Sequence, residues 1–447
     1  MTSATDASYE GGTTDASGGP GTLKKPGKAG GPGPLGGPEG GNHSPGAQLK
    51  AHLRAYSARV RGGDMGSLPA ALGLVALCAI FGALRPAFLT AGNFANLFTQ
   101  GAVITTIAMG MVFVLLLGEI DLSAGFVSGV AGAVLAVTLT KHGWPLPAAL
   151  AATLGAGVLI GLVLGALVAR IGIPSFVVTL GGFLAFQGVV LIIIGQGGNI
   201  PVTNDTIVAI QNKNLTPALG WALFALVAGG YAATKALTAR SRQRKGLETE
   251  PPVVAFTKVA GVAVIAAAAV AILNEERSRN IFVVSLKGVP IVVPVLLAFL
   301  AIWTFVLGYT RYGLHIYAVG GNAEAARRAG IKVARIRISV FVIGSTMAAI
   351  AGIFAASRAN SVDPNAGGSN TLLYAVGAAV IGGTSLFGGR GRVIDAVIGG
   401  AVVAVIDNGM GLLGYSAGVK FVVTGLVLVV AAGVDALSRR RSAAGGS

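Results

Sequence analysis

Long runs of apolar residues, separated by short polar or glycine-containing breaks, cover most of the chain after residue 63. Within these runs the apolar residues are continuous and do not alternate with polar ones, as they would in a strand with one buried face. Runs of about 18 or more apolar residues are typical of transmembrane helices. Because lipid offers the backbone no hydrogen-bond partners, only helices or closed barrels cross a membrane, and continuous runs favour helices.

The pattern therefore predicts an all-α, polytopic integral membrane protein with about twelve transmembrane helices, with ten as an open alternative. The predicted spans are roughly 67–84, 100–117, 121–139, 146–169, 174–195, 217–234, 252–273, 289–308, 336–357, 371–386, 393–410 and 418–437. The GEID sequence at 118–121 is too short for an ordinary loop, and we expect a tight turn or a break within a helix.

Basic residues are concentrated on one side of this arrangement. If the N-terminus is cytoplasmic, the inner stretches contain the heavier clusters, which are KALTARSRQRK at 235–245, Arg311 to Arg337 and Arg439 to Arg441. The outer stretches hold scattered basic residues and the mixed-charge segment NEERSRN. Cytoplasmic loops are enriched in lysine and arginine, so we expect both termini to be cytoplasmic. Ten spans instead of twelve would also place both termini on the cytoplasmic side.

The two ends of the chain are polar. Residues 1–48 are rich in glycine, serine, threonine and proline, contain no apolar segment of a signal peptide, and are expected to be disordered. Residues 49–61, LKAHLRAYSARVR, form a basic amphipathic segment that is either an interfacial helix on anionic lipid or a solvated lead-in. The predicted organisation is a disordered cytoplasmic tail over 1–63, a transmembrane domain over 64–438 and a basic cytoplasmic tail over 439–447.

Composition supports this assignment. Hydrophobic residues make up 53% of the 447 residues and charged residues 11%, whereas a soluble protein is about a quarter charged. The net charge of +16 does not indicate nucleic-acid binding, because the basic residues flank the spans, where membrane topology requires them. The single cysteine, Cys78, lies in an apolar run and has no partner for an intramolecular disulfide.

Motifs of catalysis are missing from the sequence. It contains no G-x-x-x-x-G-K-[ST] phosphate-binding loop, no G-x-S-x-G and no H-E-x-x-H. The four histidines lie in separate segments without metal-ligand spacing, so we expect neither a metal site nor a cofactor. They are His43, His52, His142 and His315. An enzyme is therefore disfavoured, and transport or scaffolding remains.

Few polar residues lie in or beside the apolar runs. Gln187, Asn199, Asp407 and Asn408 are candidate pore-lining residues, although each is equally suited to a hydrogen bond between helices. No run carries a charged relay through its centre, which argues against an ion-coupled secondary carrier without removing that alternative. Small-residue spacings such as Gly125-x-x-x-Gly129 permit close helix approach, but 69 glycines produce such spacings by chance.

One polar insert, AVGGNAEAARRAGIKVARIRIS at 318–339, separates two long apolar runs. Asn322 is a good N-cap, Glu324 complements the positive end of the helix dipole and Arg327 and Arg328 the negative end. Gly330 suits the left-handed position after a helix. The pattern predicts a capped helix of about eight residues. On the cytoplasmic face it would be either a docking element for a partner or an ordinary loop helix.

At these residues the sequence resembles a known family. EAARRAG is similar to the E-A-A-x-x-x-G signature of bacterial ABC-importer permeases, and IYAVGGNAEAARRAGI resembles the cytoplasmic loop of the ribose/xylose-type sugar permeases. Four other stretches of the chain also resemble segments of this family, namely GMVFVLLLGEIDLSAG, IPSFVVTLGGFLAFQGV, GAAVIGGTSLFGGRGRV and IDNGM. GWPLP and the additional central spans around 217–273 are most similar to the D-xylose branch. The I-x-L-P element of the wider permease signature is missing, and the long N-terminal tail is an addition.

The resemblance implies a role and a set of partners. It implies a permease subunit of the bacterial cytoplasmic membrane that pairs with a second permease copy and translocates a monosaccharide, D-xylose or a related sugar. A cytoplasmic ATP-binding subunit would hydrolyse ATP, an extracytoplasmic binding protein would deliver the sugar, and the chain itself would catalyse no reaction. The helix at 322–330 would be the coupling helix that contacts the ATP-binding subunit, through Gly321, Asn322, Glu324, Ala325, Ala326, Arg328 and Gly330.

Overall fold

The computed structural model describes residues 66–195, 198–247, 249–278 and 285–444. The predicted tail over 1–63, with its amphipathic segment at 49–61, lies outside the described residues, as do 445–447. The described part is nearly all helix, and its one sheet pairs two-residue strands, β1 (Ile200–Pro201) and β2 (Ser361–Val362), in antiparallel register. The predicted all-α class is confirmed.

Fifteen α-helices follow one another along the described part of the chain. They are α1 (Leu68–Leu84), α2 (Ala91–Leu116), α3 (Ala124–Ala136), α4 (Leu146–Ala166), α5 (Ser175–Ile194), α6 (Asp205–Asn212), α7 (Pro217–Arg244), α8 (Pro252–Leu273), α9 (Val292–Tyr309), α10 (Arg311–Gly321), α11 (Ala323–Arg328), α12 (Val333–Ala359), α13 (Ser369–Ile381), α14 (Val393–Leu412) and α15 (Ala417–Ala444). One π-helical turn continues α3 through Val137–Lys141, and another continues α4 through Leu167–Ile171.

Each of the twelve predicted spans corresponds to one helix of the described chain. Nine of these helices are long and apolar enough to cross a membrane, and shorter apolar helices lie at Leu68–Leu84, Asn370–Ile381 and Ala417–Gly433. Helix α2 begins at Ala91 rather than near 100, and α7 continues to Arg244 rather than ending near 234. The tenth span is shorter than predicted. It was expected over 371–386, but α13 ends at Ile381 because Gly382 and Gly383 begin a glycine-rich turn. Its 13 residues extend about 20 Å, less than the roughly 30 Å hydrocarbon core.

Helix α12 forms the centre of the bundle and packs against α2, α3 and α4, while α13 and α14 pack on the other side of α2. Glycines four residues apart on α4 allow its contact with α12. A Cβ atom would lie 2.7 Å from the Ala349 side chain at Gly157 and 2.6 Å from the Val342 backbone at Gly161. These two glycines therefore allow close packing of α4 on α12, as small residues do between membrane helices.

The loops gather at two ends of the bundle. At the end where α12 begins, Arg337 pairs with Glu119 at 3.1 Å. At the end where α12 finishes, the Asn212 amide donates to the carbonyl oxygen of Ser357 at 2.6 Å, and β1 pairs with β2. Segments that the charge pattern assigns to one side of the membrane therefore meet at one end. The cytoplasmic placement of the first end stays a prediction.

Helices α7 and α8 form a peripheral hairpin. They pack on each other, and α8 also touches α2. The loop between them is held by Glu250, which pairs with Lys235 at 3.0 Å and with Lys258. Hydrogen bonding from Lys258 is the main reason that the pKa of Glu250 lies below its ordinary value. The exposed apolar faces of this hairpin suit contact with lipid.

Candidate functional site

The polar insert folds as the predicted capped helix, α11. The side-chain oxygen of Asn322 accepts a hydrogen bond from the backbone N–H of Ala325 at 2.9 Å, so Asn322 is the N-cap. The helix has six residues rather than about eight, because Ala329 has already left helical geometry. The predicted N-cap is confirmed, and the helix is shorter by about half a turn.

The C-terminal end of α11 is closed by two hydrogen bonds. Gly330 has a left-handed backbone (φ +85°), and its N–H donates to the carbonyl oxygen of Arg327 at 2.9 Å, while that of Ile331 donates to Ala326 at 3.0 Å. This pair of bonds is the Schellman motif, in which glycine is favoured at the left-handed position. Ala326 is buried, so the motif also anchors the helix to the bundle.

The opposite face of α11 is exposed and charged. Glu324 pairs with Arg327 at 3.0 Å and with Arg328 at 3.3 Å, and all three side chains are more than half exposed. Surface ion pairs of this kind contribute about 0–1 kcal/mol to stability. The fold therefore does not depend on these charges, and they are free to contact a partner.

Beneath the insert, three chain segments meet through their backbones. Gly320, at the end of α10, packs so closely on Leu116, at the end of α2, that a Cβ atom would clash with the Leu116 carbonyl oxygen. The same oxygen accepts a hydrogen bond from the N–H of Gly389 at 2.8 Å. We call Gly320, Leu116 and Gly389 the glycine junction. The glycine junction was not predicted from the sequence, although the paired glycines at 320–321 and 388–389 were a visible signal.

Side chains reinforce the glycine junction. The Tyr317 hydroxyl donates to the carbonyl oxygen of Gly391 at 2.8 Å. Burial, and secondarily the negative charge of Asp395, raise the pKa of Tyr317, which keeps its donor proton in place. The Glu119–Arg337 ion pair then ties the GEID turn to the first turn of α12. Helices α10 and α12, which flank α11, are thus both connected to the end of α2.

A cavity of about 590 Å³ lies at the other end of α12. It is bordered by α3, α5, the last two turns of α12, the segment 361–368 and the start of α13. Its lining residues are Phe126, Ser128, Gly132, Phe183, Gln187, Gly352, Ala355, Ala356, Ala359, Ser361, Val362, Asp363, Asn365, Ala366, Gly367, Gly368, Asn370 and Thr371.

The segment 363–368 enters the bundle because two helical glycines leave room for it. A Cβ atom at Gly129 would clash with the carbonyl oxygen of Ala366, and one at Gly125 would lie 2.7 Å from that of Gly367. The segment turns through an N–H of Asn365 that donates to the Asp363 carboxylate at 2.7 Å. The Gly125-x-x-x-Gly129 spacing therefore accommodates a loop rather than a helix.

The four predicted pore-lining residues do not come together. Gln187 lines the cavity. Asn199 is exposed beside β1, and Asp407 pairs with Lys420 at 3.3 Å. Asn408 is buried and donates to the Gln100 side chain at 3.2 Å, which matches the alternative of a hydrogen bond between helices. A role in the pore stays a prediction for all four.

Within the described ranges, no group of three or more histidine, cysteine, aspartate or glutamate side chains is placed to hold a metal ion. Two buried carboxylates, Asp121 and Asp395, lie near the glycine junction. Asp121 accepts from the Ser123 hydroxyl at 2.6 Å, and Asp395 pairs with Arg392 at 3.2 Å. Neither lies at the centre of a span.

Most of the chain is similar to known membrane transport proteins. Residues 93–432 match the family described as "Branched-chain amino acid transport system / permease component". The "Xylose transport system permease protein XylH" of Escherichia coli (strain K12) is 38% identical over 80% of this chain and 88% of that protein. No solved structure matches.

Two further relatives come from the same organism. The "Ribose import permease protein RbsC" is 30% identical over 81% of this chain and 92% of that protein. The "D-allose transport system permease protein AlsC" is 29% identical over 81% and 90%, respectively. These relatives are transport subunits rather than enzymes, and together with nine candidate spans in the described chain they indicate a multi-pass protein of the bacterial cytoplasmic membrane. The chain belongs to the permease-component family of branched-chain amino acid transport systems, in the part that contains sugar permeases.

Proposed function

We propose that the chain is the membrane-spanning permease subunit of an ATP-driven importer and that it translocates a monosaccharide, with D-xylose as the leading candidate. The single observation that carries the proposal is α11, a helix capped at both ends that exposes Glu324, Arg327 and Arg328. The names of the relatives support a sugar as the substrate, since they refer to xylose, ribose and D-allose.

The geometry supports transmission of force rather than chemistry. A cytoplasmic ATP-binding subunit docks on the exposed face of α11, with the coupling set from Gly321 to Gly330 at or beside the contact. Helices α10 and α12 continue from the two sides of α11 into the bundle. Since Gly320 abuts the end of α2 without an intervening side chain, movement of α11 displaces α2 directly. The chain needs no cofactor for this role.

The remaining partners follow from the same proposal. Both termini and α11 face the cytoplasm, so the cavity at the far end of α12 faces outward, where a binding protein delivers sugar. A second copy of the chain completes the translocation unit. An ion-coupled carrier is the rival function, and the placement of Asp121 and Asp395 near the inner end of the bundle offers it no carboxylate at mid-span.

The test is reconstitution with the ATP-binding subunit and the sugar-binding protein of the same transport system. We expect all three to co-purify and to import D-xylose, ribose or D-allose into vesicles. A matched preparation with the phosphate-binding lysine of the ATP-binding subunit replaced should not import. Failure to import any monosaccharide, or full import by the inactive ATP-binding subunit, would refute the proposed function.

A further inference from the structure

The cavity at the C-terminal end of α12 carries an inference that rests on the proposed function and makes it specific. We propose that this cavity is the site at which a neutral monosaccharide enters the membrane domain. The hydroxyl groups of the sugar pair with the side chains of Gln187, Asn365 and Asn370, and its ring lies against Phe183, which the buried Phe126 supports.

The backbone around the cavity is irregular at a level of the bundle where its neighbours α3 and α12 are helical. Gly352, which packs on Ser128, lies seven residues below the end of α12 at Ala359, or about 10 Å at 1.5 Å per residue. The segment 363–368 descends beside this part of α12 to reach Gly125 and Gly129. Non-helical backbone within a membrane persists where it is buried in protein or lines a polar cavity, and broken helices mark substrate sites in transporters.

Three amide side chains in the lining have no hydrogen-bond partner among the described residues. They belong to Gln187, Asn365 and Asn370. An amide both donates and accepts hydrogen bonds, as a sugar hydroxyl does. The three amides come from α5, the irregular segment and the start of α13. Ser128, Ser361 and Thr371 add hydroxyl groups to the same lining, and a cavity of about 590 Å³ is within the usual range for a small-molecule site.

The charge of the lining favours a neutral ligand. Asp363 is the one ionisable side chain among the described lining residues, and no lysine or arginine is among them. An amino acid or an anionic substrate would find no cationic side chain among these residues to pair with its carboxylate, and Asp363 would repel that carboxylate. A polyhydroxylated neutral molecule satisfies the amides without adding charge.

Two aromatic rings supply the apolar part of the site. Phe126 and Phe183 pack edge to face, with ring centroids 4.8 Å apart and planes at 76°. Phe126 is buried, and Phe183, on α5 one turn before Gln187, is partly buried. A monosaccharide ring has faces made of C–H groups, which bury against aromatic carbon while the hydroxyl groups at the ring edge meet the amides. The lining thus separates apolar and polar contacts as a sugar does.

The first experiment separates substrate contact from coupling. Gln187→Leu and Asn370→Leu are placed in the complete reconstituted importer, with Gln243→Leu on the exposed end of α7 as the matched control. We expect D-xylose import to fall about tenfold or more in the cavity variants, as for loss of a hydrogen bond to a bound ligand. ATP hydrolysis stimulated by the loaded binding protein should stay within about twofold of wild type, and the control should import normally.

Two outcomes of that experiment would overturn the site. Unchanged import in both cavity variants would show that the amides do not contact the sugar. A parallel loss of ATP hydrolysis would show that they act through the structure of the bundle instead. Lack of import of any monosaccharide by the wild-type importer would refute the proposed function, whereas wild-type import with unaffected cavity variants refutes the site alone.

A second experiment does not depend on removing an amide contact. Asn365→Cys is introduced after Cys78→Ala has removed the single native thiol. A membrane-impermeant thiol reagent, applied from the binding-protein side, should modify the introduced thiol. The attached reagent then fills a cavity of ligand size, so import should fall about tenfold or more. Ser416→Cys, exposed between α14 and α15, is the matched control and should be modified without loss of import. Failure to modify the Asn365→Cys variant, or modification without loss of import, would overturn the proposal.

Discussion

The backbone N–H of Gly389 donates a 2.8 Å hydrogen bond to the carbonyl oxygen of Leu116. This carbonyl is one of the last in α2, where helical hydrogen bonding ends and an external donor is needed. Gly320 packs against the same carbonyl group. The end of α2 is therefore held jointly by the turn before α14 and by the helix that leads into α11, so these three elements cannot move independently.

Addition of a methyl group at Gly320 should disrupt this contact. In Gly320→Ala the Cβ atom clashes with the Leu116 carbonyl oxygen, so α10 must shift away from α2. Overpacking of this kind costs about 1–3 kcal/mol, and we expect sugar import to fall while ATP hydrolysis persists. Gly308→Ala is the control, since a Cβ atom there has no neighbour within 4 Å. Equal import by both variants would contradict a mechanical role for the junction.

Charge reversal on α11 should remove the partner without unfolding the helix. Glu324→Lys breaks two exposed ion pairs, which contribute about 0–1 kcal/mol, so the protein should still insert and purify normally. We expect co-purification of the ATP-binding subunit and sugar import to be lost. Gln243→Lys adds a positive charge on α7 and should retain both. An import-competent Glu324→Lys variant would contradict docking at this face.

Two substitutions at Gly330 separate the effect of its left-handed backbone from the effect of side-chain bulk on the docking face. Its φ of +85° favours glycine, and asparagine tolerates this region better than other residues. We expect Gly330→Asn to keep at least half of the import, and Gly330→Arg to abolish import through its bulk on the docking face. Membrane levels of both variants, measured by immunoblot, should match wild type. Equal import by the two variants would show that this face is not covered by a partner.

The Glu119–Arg337 ion pair should stabilise the inner end of the bundle. Their side chains are 13% and 32% exposed, so removal of one partner leaves the other charge in a partly buried place. We expect Glu119→Gln and Arg337→Gln each to destabilise the protein by about 1–3 kcal/mol, seen as a lower melting temperature in detergent. The double variant should lose less stability than the sum of the losses in the two single variants. Simple additivity would show that the pair does not interact.

Capping and apolar length are local properties, which is why they could be predicted. Asn322 and Gly330 act on residues within five positions, and the span pattern requires only the apolar runs themselves. The tenth span was predicted too long, because an apolar run with glycines at 382 and 383 has the hydropathy of a longer helix. Backbone breaks at glycine do not alter hydropathy.

The junction and the cavity depend on contacts between residues far apart in the chain. Gly320 meets Leu116 across about two hundred residues, and Gly129 meets Ala366. In a chain with 69 glycines, no single spacing reveals which ones carry close contacts. Gln187 was predicted because it interrupts an apolar run. Asn365 and Asn370 were missed because they lie in and just after a loop, where polar residues are common.

The most direct test of the central claim is the energy source of import. The importer is reconstituted in vesicles with ATP and the ATP-binding subunit on the side of α11, and D-xylose with its binding protein on the other. We expect sugar import to require hydrolysable ATP, to continue when an uncoupler abolishes ion gradients, and to be lost in Glu324→Lys. Import that stops with the uncoupler while ATP is held constant, or that proceeds without ATP, would contradict an ATP-driven permease.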